Sequence, residues 1–198
     1  MRELRRASKN VHETVLKLVK KINPKHVLEL GSGKGNLAKF IYDAGLDITA
    51  SDIDIDQFKI KGIKCLQINL NKKIILTKKY DTIICSEVIE HLQNPKKLFI
   101  EAYLLLEKKG VLIITTPNNQ NWFSRIYFLI TGKLPMMESH PDHISPIFTW
   151  QLNKLLGNLF EIEQICFNRS VLPLIHFNIP IKNLQFGQNI ILVLRKKN

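Results

Sequence analysis

The chain has 198 residues, 45% of them apolar, with only 9 Gly and 8 Pro, which is enough for one substantial core and too little for two ordinary domains. Of its formal charge of +12, residues 1–25 hold +6 and residues 195–197 hold +3, so the body between them is nearly balanced and the basic excess marks solvated ends rather than a polyanion-binding face. Three separated cysteines (Cys65, Cys85, Cys166) make neither a disulfide framework nor a zinc set, and no stretch has the apolar run of a signal peptide or of a membrane span; one domain over residues 1–198, cytoplasmic in location, is expected.

In chain order, Val11, Val15, Leu18, Val19 and Ile22 recur at helical spacing with Lys17, Lys20 and Lys21 on the other side, which predicts an amphipathic helix within residues 1–24 that packs on the body and covers one edge of the site. A strand at 26–30, a helix at 36–44 stopped by Gly45, and strands at 47–51, 64–68 and 82–85 follow. Pro95 opens a helix expected to run to residue 109, where Gly110 ends it before a strand at 111–115. Strands alternating with helices predict βαβ units, a parallel sheet and ligands outside the carboxyl ends of its strands. Residues 117–146 break the rhythm with four prolines among aromatics and are expected to form a lid or acceptor-binding insertion. Within it Trp122, Phe123, Ile126, Tyr127 and Ile130 share one side of a short helix. A helix at 148–156 and strands at 162–167 and 189–194 close the chain, the last two joined by the Pro-containing segment 171–181.

The most informative run is Val27-Leu28-Glu29-Leu30-Gly31-Ser32-Gly33-Lys34-Gly35, an apolar strand bearing one carboxylate and then three alternating glycines. Glycine in a strand-to-helix turn lets backbone approach a ligand closely. Asp52 ends the second strand, where a carboxylate can accept both hydroxyls of a ribose. A nicotinamide-dependent dehydrogenase shares these features, but its fingerprint is Gly-x-Gly-x-x-Gly, and here Ala38 stands where no third glycine follows at that spacing. No Gly-Lys-Ser/Thr is present, which excludes a P-loop. Glu29 beside the turn would repel a pyrophosphate and attract a cationic ligand.

This run resembles motif I of the class I S-adenosylmethionine-dependent methyltransferases, and Tyr80-Asp81-Thr82-Ile83-Ile84-Cys85-Ser86-Glu87-Val88-Ile89-Glu90-His91-Leu92 is similar to the fourth strand and following turn of small-molecule members of that class. The likeness covers about residues 25–117 and extends more loosely to the end. It implies an α/β fold with a Rossmann-like, doubly wound, seven-stranded sheet, mostly parallel with an antiparallel last strand. It also implies S-adenosyl-L-methionine as cofactor, held by Glu29, Gly31, Ser32, Gly33, Gly35, Asp52, Ile53, Asn69, Leu70, Ser86 and Glu87. The family often has an acid near the adenine amino group after strand three; Asn69 occupies that stretch here and would bond adenine through its amide.

On the acceptor side, Glu87, Glu90 and His91 stand at i, i+3 and i+4, which on a helix would place them on one face. They orient the turn, or, joined by His143 from the His140-Pro141-Asp142-His143 cluster, they make a set suited to a divalent cation. Glu-x-x-Glu-His with a later His resembles metal-dependent O-methyltransferases that act on catechols in ubiquinone synthesis and on the terminal ribose of small RNAs. Without a metal, His143 and His91 are the candidate catalytic residues, with His143 or His140 as a general base. The apolar insertion favours a small, apolar or lipid-linked acceptor methylated on oxygen over a polynucleotide, with shallow membrane contact as another use of the same surface. The alternatives are a metal-dependent RNA ribose methyltransferase and a methyltransferase-like binding or regulatory subunit without turnover.

Overall fold

The computed structural model describes residues 2–168, 170–172, 177–179 and 182–198, with side chains described over 10–168 and 182–198. The expected apolar surface at residues 171–175, within the segment 171–181, has no described side chains, and the early arginines of the basic N-terminal stretch likewise lie outside the described side chains. Strand and helix alternate as the sequence pattern predicts except over residues 48–86, where three strands follow one another with no α-helix between them. Helix α1 (Arg2–Ile22) is followed by β1 (Val27–Leu30), α2 (Asn36–Asp43), β2 (Ile48–Asp52), β3 (Lys64–Gln67), β4 (Tyr80–Ser86), α3 (Pro95–Leu105) and β5 (Leu106–Pro117). Helices α4 (Trp122–Thr131), α5 (Pro135–Glu138) and α6 (Leu152–Leu156) then precede β6 (Phe160–Phe167), the hairpin β7 (Ser170–Leu172) and β8 (Phe177–Ile179), and β9 (Asn189–Lys196).

Seven strands make one sheet in the order β3-β2-β1-β4-β5-β9-β6. All neighbours from β3 to β5 are parallel, and β9 runs antiparallel to both β5 and β6. Period-two alternation divides the core between two faces: Ile83 and Cys85 of β4 join α3 and α6, whereas Ile84 between them joins α1 and α2. Val11, Val15 and Val19, four apart on α1, are buried with Leu37, Ala38 and Ile41 of α2, so the basic side of α1 stays in solvent. All three cysteines lie in strands and are free thiols. Among the described residues, no helix is long and apolar enough to cross a membrane.

Two expectations need correction. The helix opened by Pro95, capped by the Asn94 side chain on Lys97 N–H, ends at Leu105 and not at residue 109, and Gly110 lies inside β5. Leu106 is buried and pairs with Tyr80 in the sheet, so tertiary pairing overrides the helix propensity of Leu106-Glu107-Lys108. The register shift between Tyr80 and Thr82 absorbs the extra residues, with Lys109 in a left-handed conformation at φ 59°. The second correction is local: Glu87, Glu90 and His91 share no helix, because only a single 3-10 turn, Ile89–His91, follows β4.

Candidate active site

The carboxyl ends of β1, β2, β4 and β5 meet at one edge of the sheet, and the polar residues buried there are the site. At the end of β1 the chain turns through Gly31, Gly33 and Gly35, all with positive φ. Gly31 and Gly35 are required by packing, since a Cβ on Gly31 would stand 2.4 Å from Val88 and one on Gly35 would stand 2.6 Å from Phe58 and Ile60. Gly33 differs: a Cβ there would have no atom within 4 Å, so the turn leaves open space above it. Asp52, at the end of β2, fixes this loop by accepting from Gly33 N–H at 2.7 Å through Oδ2, while Oδ1 accepts from Asp54 N–H and Gln57 Nε2. A carboxylate has about four acceptor positions, so Asp52 retains capacity for a ligand hydroxyl.

Glu29 is buried beneath the turn, and its Oε2 has no partner among the described residues. Burial pushes its carboxyl up to about 7, against hydrogen bonds from Ser32 and the Ala38 backbone that favour the charged form. An orphaned, buried carboxylate oxygen below an open glycine cradle fits a ligand with a positive charge. Ser32 links the strands, its hydroxyl bonding Glu29 O and accepting from Ser51 N–H. Ile53 presents an exposed apolar side chain directly after Asp52, and Leu70 is buried after β3. Between them in sequence, Asn69 accepts from Asn71 N–H through Oδ1, which leaves its amide nitrogen as donor.

The end of β4 is strained. Glu87 adopts φ 55°, which costs a non-glycine residue on the order of 1–3 kcal/mol. Its environment holds it there: Glu87 N–H donates to Thr115 O at 3.1 Å, Thr115 Oγ1 donates to Oε1 at 2.7 Å, and Asn189 Nδ2 donates to Oε2 at 2.8 Å. Ser86 Oγ bonds the same Thr115 hydroxyl. Burial raises the Glu87 carboxyl to about 7 despite these donors. Glu90 is buried as well, receives Thr116 Oγ1 on Oε2 and, among the described residues, has no partner on Oε1. Burial, then the nearby Glu87, pushes its carboxyl well above the ordinary range.

His91 and His143 meet at 4.6 Å between ring centroids, and His140 stacks on His143 at the same separation. His143 Nδ1 lies 2.9 Å from Met136 O, and His91 Nδ1 lies 3.1 Å from Asp142 O. A carbonyl only accepts, so both Nδ1 atoms carry a proton, and His91 Nδ1 also lies 3.2 Å from Asp142 Oδ2. Burial, followed by the two neighbouring histidines, lowers the His143 pKa and keeps the ring neutral. One ligand atom each from Glu90, His91 and His143 lie within 4.8 Å of one another, and a second such group is His140, Asp142 and His143. The structure thus gathers three of the four residues read as a cation set. Glu87 turns instead to Thr115 and Asn189.

Thr115, Thr116 and Asn189 were not among the residues read from the sequence as site residues. A signal for the first two was present, because Thr115-Thr116-Pro117-Asn118-Asn119 is a polar run directly after the apolar stretch 111–114, at the end where parallel sheets bind ligands. Asn189 starts the one antiparallel strand, and only the strand order brings it to that edge. A cavity of about 480 Å³ lined by Lys109, Glu161, Glu163 and residues 195–198 opens at the other end of the sheet and is not part of this site.

The chain belongs to a family of methyltransferase domains, whose model matches residues 1–158. It is 30% identical over 116 residues to a ubiquinone biosynthesis O-methyltransferase of Coxiella burnetii, an alignment covering 54% of this chain and 49% of that protein, so the chain spans about half the length of the curated relatives it matches. Its fold is that of a SAM-dependent methyltransferase from Archaeoglobus fulgidus (TM-score 0.67, 20% identity, 94% of each chain covered). It is also that of the magnesium protoporphyrin IX methyltransferase of Synechocystis PCC 6803 with bound SAH (TM-score 0.71, 17% identity, 99% of this chain and 86% of the other).

Proposed function

We propose that this chain transfers a methyl group from S-adenosylmethionine to a hydroxyl of a small, apolar or lipid-linked acceptor. One observation carries the reading. The open glycine turn and the Glu90–His91–His143 cluster adjoin across Val88, whose side chain lies where Gly31 would carry a Cβ, so a donor over Gly33 and an acceptor beside the histidines would share one crevice. When bound, S-adenosylmethionine supplies an electrophilic methyl group on a sulfonium. The chain's part is to hold and to orient. Glu29 answers the positive charge of the methionine end, Asp52 the ribose hydroxyls, Ile53 and Leu70 the faces of the purine, and Asn69 one of its edges. On the other side, the neutral His143 Nε2 takes the proton that an acceptor hydroxyl must lose. Oxygen as the methylated atom agrees with the name of the Coxiella relative.

A divalent cation is a second reading of the same cluster, favoured by the buried Oε1 of Glu90, unpartnered among the described residues, and by the approach of one ligand atom each from Glu90, His91 and His143 to within 4.8 Å. Glu90, His91 and His143 would hold it, and its chemistry would be to acidify the acceptor hydroxyl. The near-balanced charge of the body disfavours a polynucleotide acceptor.

Calorimetric titration with S-adenosylmethionine and S-adenosylhomocysteine tests the donor site: binding by the wild-type chain and its loss in Asp52→Ala are expected, and a folded wild type that binds neither ends the proposal. His143→Ala should bind the donor normally and turn over at least about a hundredfold more slowly; unchanged turnover removes His143 from the chemistry. Turnover indifferent to EDTA, with no heat on adding Mg²⁺, Mn²⁺ or Zn²⁺, removes the cation.

A further inference from the structure

Helix α4 is pinned at its beginning and bare at its end. Trp122 N–H donates to Gln185 O, the Asn121 side chain caps Ser124 N–H, and the Gln120 side chain receives both the N–H and the hydroxyl of Thr149. From there the helix leaves the body: Ile126 is 46% exposed, Phe128 53%, Leu129 85% and Ile130 76%. Gly132, left-handed at φ 71°, ends it, and α5 returns. We infer that this tip is a membrane-insertion element which seats the protein on the surface of an anionic phospholipid bilayer.

Three arguments favour a bilayer over another protein. Successive helix positions turn by about 100°, so Phe128, Leu129 and Ile130 together face about 200° of the circumference. A flat protein surface, including a second copy of this chain, covers one stripe of a helix, whereas acyl chains surround a tip from every side. The cations are placed for snorkelling: Arg125 lies one turn back and Lys133 just beyond the tip, their long stems apolar and their heads suited to phosphates. The nearby carboxylate of Glu138 is already answered by Lys133 at 2.5 Å and by the Tyr127 hydroxyl at 2.7 Å, so it offers anionic lipid little repulsion.

The tip is joined to the site through α5, since His143 Nδ1 bonds Met136 O. Seating on a bilayer would therefore bring the histidine cluster to the interface where a lipid-linked acceptor presents its head. That last step rests on the functional reading; insertion itself does not.

Vesicle co-sedimentation of the full chain, without methyl donor, separates the two. Vesicles of phosphatidylglycerol and phosphatidylethanolamine should bind wild type, and Leu129→Ser/Ile130→Ser should bind at least about tenfold more weakly while its S-adenosylmethionine titration is unchanged. Three results would overturn the inference: no sedimentation of wild type; equal sedimentation of both proteins that vanishes in high salt, which assigns binding to the basic ends; or a dimer in light scattering that the double variant loses, which assigns the tip to a second copy.

Discussion

Gly31 and Gly33 look alike in the sequence, two glycines of one alternating run, yet a methyl group on each would meet different surroundings. On Gly31 it collides with Val88 at 2.4 Å; on Gly33 it enters the space left open over the turn. Gly33→Ala should cost stability about 1 kcal/mol from its left-handed backbone and lose most S-adenosylmethionine affinity, whereas Gly31→Ala should be destabilised by roughly 2–4 kcal/mol from strain and overpacking together. Melting curves beside calorimetry check this, and normal binding by Gly33→Ala would take that residue out of the cradle. Glu29 can be read through pH. A ligand ammonium favours its ionised form, so donor binding below about 7 should release a proton, and affinity should rise with pH to about 7 and then level. Glu29→Gln should flatten the profile; an equally steep profile in the variant assigns it elsewhere. The spacing of Glu29, the glycines and Asp52 is visible in the sequence because local turn chemistry dictates it. The Glu90–His91–His143 meeting is only half visible, since His143 lies on a loop whose path is set by α5 and by the Ile144 and Ser145 N–H bonds to Glu90 O.

At the scale of elements, amphipathic spacing recovers α1 and short apolar runs between turns recover β1 to β4, because in these segments burial and local propensity agree. They disagree after Leu105, where a good helix-forming run is drawn into the sheet by the pairing of Leu106 with Tyr80 and by Lys196 Nζ on Leu106 O. They disagree again after β4, where Thr115 and Asn189 hold Glu87 in a conformation that starts no helix. The first turn of β9 is thus a clamp on the end of β4. Asn189→Ala strips one donor from a buried carboxyl and one partner from Asn168, and should lower stability by about 2 kcal/mol, or roughly 4–8 °C in Tm. A melt within a degree of wild type would show that the clamp is unimportant.

For the molecule as a whole, the two faces of the sheet bury separate apolar sets, and most of the buried polar groups, Glu101 and Thr82 apart, are collected at one edge. That concentration has a pH signature. A carboxyl raised from 4.5 to about 7 binds more protons folded than unfolded between those values, so its contribution favours folding at low pH and fades as pH rises through about 7. In the absence of ligand, Glu29→Gln should therefore gain on wild type by roughly 2–3 kcal/mol between pH 5 and pH 8 in denaturant titrations, and a constant difference would mean that Glu29 is not buried as a carboxyl. Strand order beyond β5 is the part of the architecture that no local pattern encodes, and here the family resemblance, not periodicity, supplies the antiparallel last strand.

That strand order also sets a timetable. Glu87 is gripped by a residue 102 positions further along, on the strand that enters the sheet between β5 and β6. During synthesis the glycine turn, Asp52 and Glu87 emerge long before Asn189, so the emerging chain carries the recognisable motifs while the edge they build stays open and unclamped. The clamp arrives with β9, and a ribosome that stalls before it leaves a product whose motifs are all present and whose Glu87 lacks its Asn189 partner.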